Sequence, residues 1–331
     1  MQTVKKEKKR SLRAILLILL IVAVILIGST YAWFISNTQV SINTIDVRID
    51  TVEGLEISAD AVTYKIGLSN DDINNAKNTY EAATNQMPTK IIPVSTIGKI
   101  DNSTGRQAMF VGTTTKSGND GVLTTVSEVE TNRQGGSFIA FELFLKLSAS
   151  QEKTLYLDKS SNVIWKKDGE NDKDKGLQNA ARVAFIAINN DPTGGVPTSQ
   201  GLQYSQAKSW QKIWEPNCLS HEAYAAAEAE RYGKTLTSST AMSYEGVMAE
   251  TTSGIDINKL TSTNYPTIFS NVANVVATPS TIDSNVELGK IQPGVTKVKV
   301  YMWLEGQDVD CFTQASGTSF SFNIKFSITP V

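Results

Sequence analysis

One histidine and two cysteines in 331 residues leave little material for imidazole or thiolate chemistry. His221-Glu222 opens the H-E-x-x-H pattern of zinc proteases on a predicted helix, yet the fifth position is Ala225. The pattern needs two imidazoles one helical turn apart, so this metal site cannot be built. His221 reads instead as an exposed or capping residue near a helix start. Gly233-Lys234-Thr235 has the ending of a phosphate-binding loop, but the first glycine of that motif would fall at Glu228, and no strand leads into it. There is no G-x-S-x-G elbow, and any Ser/His/Asp arrangement would have to use His221. A glycosidase-type mechanism needs only two carboxylates in a cleft, and no spacing here singles out such a pair. The sequence therefore assigns no catalytic residue, no metal ligand set and no cofactor.

Other residue pairs suggest binding or cross-linking. Asp168, Glu170, Asp172 and Asp174 are closely spaced but lack the glycine and the closing glutamate of an EF-hand loop. Glu305, Asp308 and Asp310 cluster beside Cys311; both stretches read more readily as solvated hairpin loops than as calcium sites. Trp210 and Trp214, four apart, offer either a sugar-stacking platform or packing of an insertion onto a sheet. Cys218 and Cys311 read as an oxidised pair if the chain is exported, or otherwise as two buried free thiols. A disulfide between them would close a loop of about 94 residues and stabilise by on the order of 4–5 kcal/mol in the chain-entropy model.

Export is what the N-terminus implies. Lys5, Lys6, Lys8, Lys9, Arg10 and Arg13 precede Ala14 to Ile27, a run without one polar side chain. The positive-inside rule places the basic end in the cytoplasm and everything after about Asn37 outside. The apolar run has the length of a secretory h-region, and Thr30-Tyr31-Ala32 offers small residues for a peptidase, so cleavage between Ala32 and Trp33 would make residues 1–32 a signal peptide. Extended through Ile35, the same segment is about 22 residues long and could stay as a membrane anchor. Without residues 1–32 the chain carries 25 basic and 32 acidic side chains, a formal net charge of −7. An acidic ectodomain of this kind has no electrostatic footprint for nucleic acid.

The elements that must position these residues are strands. Gln39 to Asp50 alternates, with Val40 and Ile42 on one parity and Ile45, Val47 and Ile49 on the other, which predicts a bulge near Asn43. Ser137 to Leu147, Lys297 to Leu304 and Ser319 to Ile328 are the clearest β patterns, the last with one apolar and one polar face. A short helix is expected around Ile73–Ala83, and a hairpin turn at Lys159-Ser160-Ser161-Asn162. Residues 190–290 lack clean alternation and read as an irregular insertion with one helix from His221 to Tyr232, between a Ser220 cap and Gly233. The fold expected is all-β: an antiparallel β-sandwich, jelly-roll-like, over residues 33–331, behind an N-terminal hydrophobic helix.

Gly28-Ser29-Thr30-Tyr31-Ala32-Trp33-Phe34, then Gly54-Leu55-Glu56-Ile57-Ser58, resembles the start of secreted proteins of the TasA and camelysin family of Gram-positive bacteria. Met302-Trp303-Leu304-Glu305-Gly306-Gln307-Asp308-Val309-Asp310-Cys311 is similar to the closing strand region of such surface proteins. The resemblance covers about 100 residues at the two ends and leaves the middle unassigned. It implies export, a jelly-roll-like sandwich and, as in TasA, assembly into matrix fibres by donation of an N-terminal strand. The single histidine argues against the metalloprotease activity described for camelysin. The expectation is a non-enzymatic surface or biofilm-matrix protein that associates with itself or other surface proteins, with Trp33, Phe34, Val40 and Ile42 in the donated strand. The alternatives are a membrane-anchored adhesin or carbohydrate-binding module using Trp210 and Trp214, and, behind it, a hydrolase.

Overall fold

A computed structural model describes residues 39–49, 54–76, 79–117, 120–130, 135–167, 173–223, 225, 245–256, 267–277, 284–311 and 317–329. The chain is mostly β, built on two large mixed sheets.

The ten-stranded sheet forms around β18 (Gly294–Glu305), flanked by antiparallel β8 (Ile139–Leu147) and β11 (Ala181–Asp191). Val300 pairs with Phe141 on one side and with Phe185 on the other. Beyond β11 come β12 (Gln211–Glu215) and, parallel to it, β16 (Val275–Ala277). β2 (Leu55–Ser58) borders β8. The far end of β18 takes the parallel strand β5 (Pro93–Ser95), then the hairpin of β6 (Met109–Ser117) and β7 (Asp120–Glu128), with β14 (Ile255–Asp256) at its edge.

The seven-stranded sheet forms around β19 (Ser319–Ser327), which lies parallel to β1 (Val40–Ile49). On its other side β19 meets β9 (Lys153–Leu157) and β10 (Asn162–Lys166), and β17 (Val286–Ile291) pairs with β9. Two-residue strands β3 (Gly67–Leu68) and β4 (Lys90–Ile91) touch the ends of β1. A separate pair is β13 (Glu245–Val247) with β15 (Phe269–Asn271). Helix α1 (Asn70–Ala76) starts at a capping box, in which the Ser69 hydroxyl accepts from the Asp72 amide while the Asp72 carboxylate accepts from the Ser69 amide.

The two sheets face each other across one core. Ile45, Val47, Phe320, Phe322, Ile324 and Phe326 from one meet Phe141, Leu143, Val183, Phe185, Val298 and Val300 from the other. Phe185 and Phe326 touch edge to face, 5.5 Å between centroids. Each such side chain, fully buried, stabilises by roughly 1.5–3 kcal/mol. The bulge expected near Asn43 is present: the register of β1 on β19 shifts between Ile42 and Thr44, so Val40 and Ile45 both reach the interior. The larger sheet is buried on its outer face too, under a second apolar cluster that includes Phe138, Ile186, Tyr301 and Trp303.

Several expectations are corrected. The sheets are mixed rather than antiparallel, because β1 and β19, β5 and β18, and β12 and β16 run parallel. Within residues 190–290 the chain supplies β12, β14, β16 and most of β17, short strands whose few residues give no readable period. Lys159 to Asn162 makes no hairpin. Leu157 pairs with Phe326 and Asn162 with Asn323, so β9 and β10 line up along the same edge of β19 with two extra residues between them. The extra length folds back onto Lys325, whose amide donates to the Ser161 hydroxyl at 3.0 Å. The polar face of β19 is not solvated either; Ser319 and Ser321 are buried. The expected N-terminal helix and most of the helix from His221 to Tyr232 lie outside the described residues, and α1 ends at Ala76 rather than Ala83. Among the described residues no helix is long and apolar enough to cross a membrane.

Candidate functional site

The densest chemistry gathers where β11 begins and β18 ends. Arg182, directly opposite Trp303 in the β11–β18 ladder, is fully buried. Its Nη2 lies 2.7 Å from Glu215 Oε1 of β12 and also bonds Asp308. Nη1 donates to the carbonyls of Asn179 at 3.0 Å and Ala181 at 2.9 Å. Asp308 belongs to the turn that follows β18, and the Asp310 amide donates to its Oδ1 at 2.8 Å. Asp310 in turn bonds His221 Nδ1 at 2.8 Å and accepts from the Glu222 amide. Glu305 accepts from Trp303 Nε1 at 3.1 Å and from the Gln307 amide at 3.0 Å.

Burial sets the electrostatics of these acids. It pushes the Glu305 carboxyl up to about 7, against hydrogen bonds from Ser95 and Trp303 that favour the charged form. It pushes Asp310 up to about 6, against the bond from His221. Glu215 is raised as well, with Arg182 opposing. The acidic turn is therefore not the solvated hairpin loop expected, since Glu305, Asp308 and Asp310 are all buried and engaged. His221 is mostly buried and bonded rather than exposed, its side chain 10% accessible.

Beside this network is a cleft of about 560 Å³ lined by Trp165, Asn217, Leu219, His221 and Glu222, among others. Its His221–Asp310 pair has the form of an oriented acid–base group. Burial drives the Cys218 thiol up to about 11, so its thiolate is scarce. The geometry thus does structural work, tying the start of β11, strand β12 and the turn after β18 to one guanidinium.

The residues singled out from sequence scatter. Cys218 and Cys311 are free, and the expected disulfide is not formed. Both thiols are buried, Cys311 within the main core, and burial keeps both protonated rather than in the thiolate form that disulfide exchange requires. Trp214 is buried in the core at 1% exposure, so it presents no ring face to a sugar. Trp210 is half-buried, donates to the Lys290 carbonyl at 2.9 Å and lies on Gly289, where a Cβ would come within 2.4 Å of its Cγ. Of the strand-donor candidates, Val40 is fully buried and Ile42 packs partly against the core. Ala32, Trp33 and Phe34 lie outside the described residues, as do Asp168, Glu170 and Asp172. Asp174 accepts from the Gly176 amide at 2.9 Å. Among the described residues no group of three or more His, Cys, Asp or Glu side chains is arranged to hold a metal ion.

The chain matches no family model, no curated protein and no solved structure.

Sequence reading missed Arg182, Glu130, Glu142 and Lys299, all buried. A signal existed for Lys299. It shares its parity on β18 with Tyr301 and Trp303, two rings too large to leave wholly in water, which marks that face as covered. Arg182 carries no such mark, because its acidic partners, Glu215 of β12 and Asp308 of the turn after β18, are far away in sequence.

Proposed function

We propose that this is a non-enzymatic extracellular surface or matrix protein that works by self-association, exchanging β1 between copies of the chain. The observation that carries the reading is the placement of β1. It is the first strand of the described chain, and it sends Val40, Ile45, Val47 and Ile49 into the core. Its long contact is the parallel ladder with β19; on its far side, among the described residues, β3 and β4 pair with it at its two ends. A strand with apolar teeth on one face, held mainly along one edge, can be supplied in the same register by a neighbouring copy. The N-terminal export segment and the resemblance to the TasA and camelysin family, with its jelly-roll-like sandwich, support the same reading. An enzyme is the weaker reading, since Asp310, the partner of His221, is held in the buried turn after β18. So is a carbohydrate-binding module, because the Trp214 ring is buried.

The test is a reversible lock. Asp46 and Asn323 are register partners on β1 and β19, on the face away from the core, so Asp46→Cys with Asn323→Cys tethers β1 to its own chain under oxidation. Polymers visible by electron microscopy for the unmodified chain should vanish in the oxidised variant and return on reduction. Polymers formed equally by the fully cross-linked variant would overturn strand exchange.

A further inference from the structure

Outside the core, under the cover of the larger sheet, a second cavity of about 190 Å³ brings five charged side chains together. Three are cations, Arg106, Lys297 and Lys299, and two are carboxylates, Glu130 and Glu142. Lys297 Nζ lies 3.1 Å from Glu142 Oε1 and donates to the Gln200 carbonyl at 3.1 Å. Lys299 Nζ donates to the backbone carbonyl and the hydroxyl of Thr84, and stands 3.8 Å from both Glu130 and Glu142. Glu130 is 0% exposed; its Oε1 accepts from the Tyr301 hydroxyl at 2.8 Å and sits 3.3 Å from Arg106 Nε. Its Oε2 is buried with no hydrogen-bond partner among the described residues.

That orphaned oxygen is the informative atom. Leaving a buried acceptor unpaired costs about 1–3 kcal/mol, more for a charged group, and Glu130 is one of the residues around this cavity, from which a donor can approach it. Arg106 adds a second open valence: Nε faces Glu130, the side chain is 32% accessible, and neither Nη is engaged by a described residue. A guanidinium edge of this kind takes a carboxylate in a fork. A plain amine would meet three cations, and a plain dicarboxylate would leave Glu130 Oε2 facing negative charge. With three cations against two carboxylates, a guest of net charge −1 balances the site. The volume is below the roughly 300–1,000 Å³ of pockets for drug-sized ligands.

We propose that this cavity binds a small acidic amino acid, its ammonium on Glu130 Oε2 and a carboxylate in the fork of Arg106. The site is independent of β1 and of self-association.

Isothermal titration calorimetry of the full chain with L-aspartate, L-glutamate and glutarate tests it. One of the two amino acids should bind saturably, and glutarate, which lacks the ammonium, at least about tenfold more weakly. Arg106→Lys keeps the positive charge beside Glu130 while removing the fork, and should weaken the amino acid about tenfold without lowering the melting temperature. Three results would overturn the proposal: no saturable heat at roughly 10 mM of either amino acid, glutarate binding as tightly as the amino acids, or unchanged affinity in Arg106→Lys. A crystal structure grown with L-aspartate that shows only water against Glu130 Oε2 would do the same.

Discussion

Arg182 Nη2 lies 2.7 Å from Glu215 Oε1, joining two strands of the larger sheet where solvent does not reach the guanidinium. The same guanidinium holds Asp308 of the turn after β18. Removing it strands two carboxylates in a low dielectric. Arg182→Met should therefore lower stability by about 3–5 kcal/mol, read as a fall in the urea midpoint with unchanged slope. A loss under about 1 kcal/mol would mean that the two acids find water or protons instead.

Glu305 makes stability depend on pH. Its folded value of about 7 lies above the ordinary 4.5, so folding favours the protonated acid. The stabilisation from this group is fully present below pH 4.5 and is lost as pH rises through 7, by on the order of 3 kcal/mol. Glu305→Gln should remove that slope in urea titrations between pH 4.5 and 8 while adding a pH-independent loss of about 1 kcal/mol, because an amide nitrogen cannot accept from Trp303 or Gln307. A variant with the same slope as the parent chain would assign the dependence to other acids.

The thiols supply a test of the larger core. Two free sulfhydryls per chain should react with Ellman's reagent in guanidinium, and almost none in native buffer at pH 8. An unfolded, unreduced chain that yields no thiol would restore the disulfide between Cys218 and Cys311.

Trp214→Ala should act on folding rather than on sugar binding. The ring is buried in the core, and its loss should destabilise by about 3–5 kcal/mol. Gly289→Ala is the complementary probe: a Cβ there meets the Trp210 ring at 2.4 Å, so the ring must lift from β17 and its fluorescence should shift to the red. An unshifted spectrum would show that the ring has another seat.

What the sequence revealed was local. The parity change from Ile42 to Ile45 announced the bulge at Asn43, and the clean alternations of β18 and β19 announced two inward faces that the core contains. The long-range pairings left no trace. Nothing in the composition of β1 says that its partner is β19, since parallel neighbours need a long crossover and here most of the chain provides it. Lys159-Ser160-Ser161-Asn162 has the residues of a turn, yet it serves as a double bulge, because turn chemistry reports backbone shape and not which strand comes next. Buried charge was equally hidden. Arg182 sits in a run that reads as an ordinary strand start, and Glu215 and Asp308 become its partners only after β12 and the turn following β18 are in place.

The ladder between β1 and β19 also fixes when this molecule can fold. The Thr44 hydroxyl donates to the Ser321 hydroxyl at 2.6 Å across 277 positions of chain. The central strand of the smaller sheet is thus made long after its parallel neighbour. Loop-closure entropy on this scale must be met before the inner faces reward it, which makes such a topology slow to form. A nascent chain has no β19 on which to close this core until the residues after β18 have been made, so the faces of β1 and β18 stay uncovered until then. The timing of folding is governed by the arrival of β19.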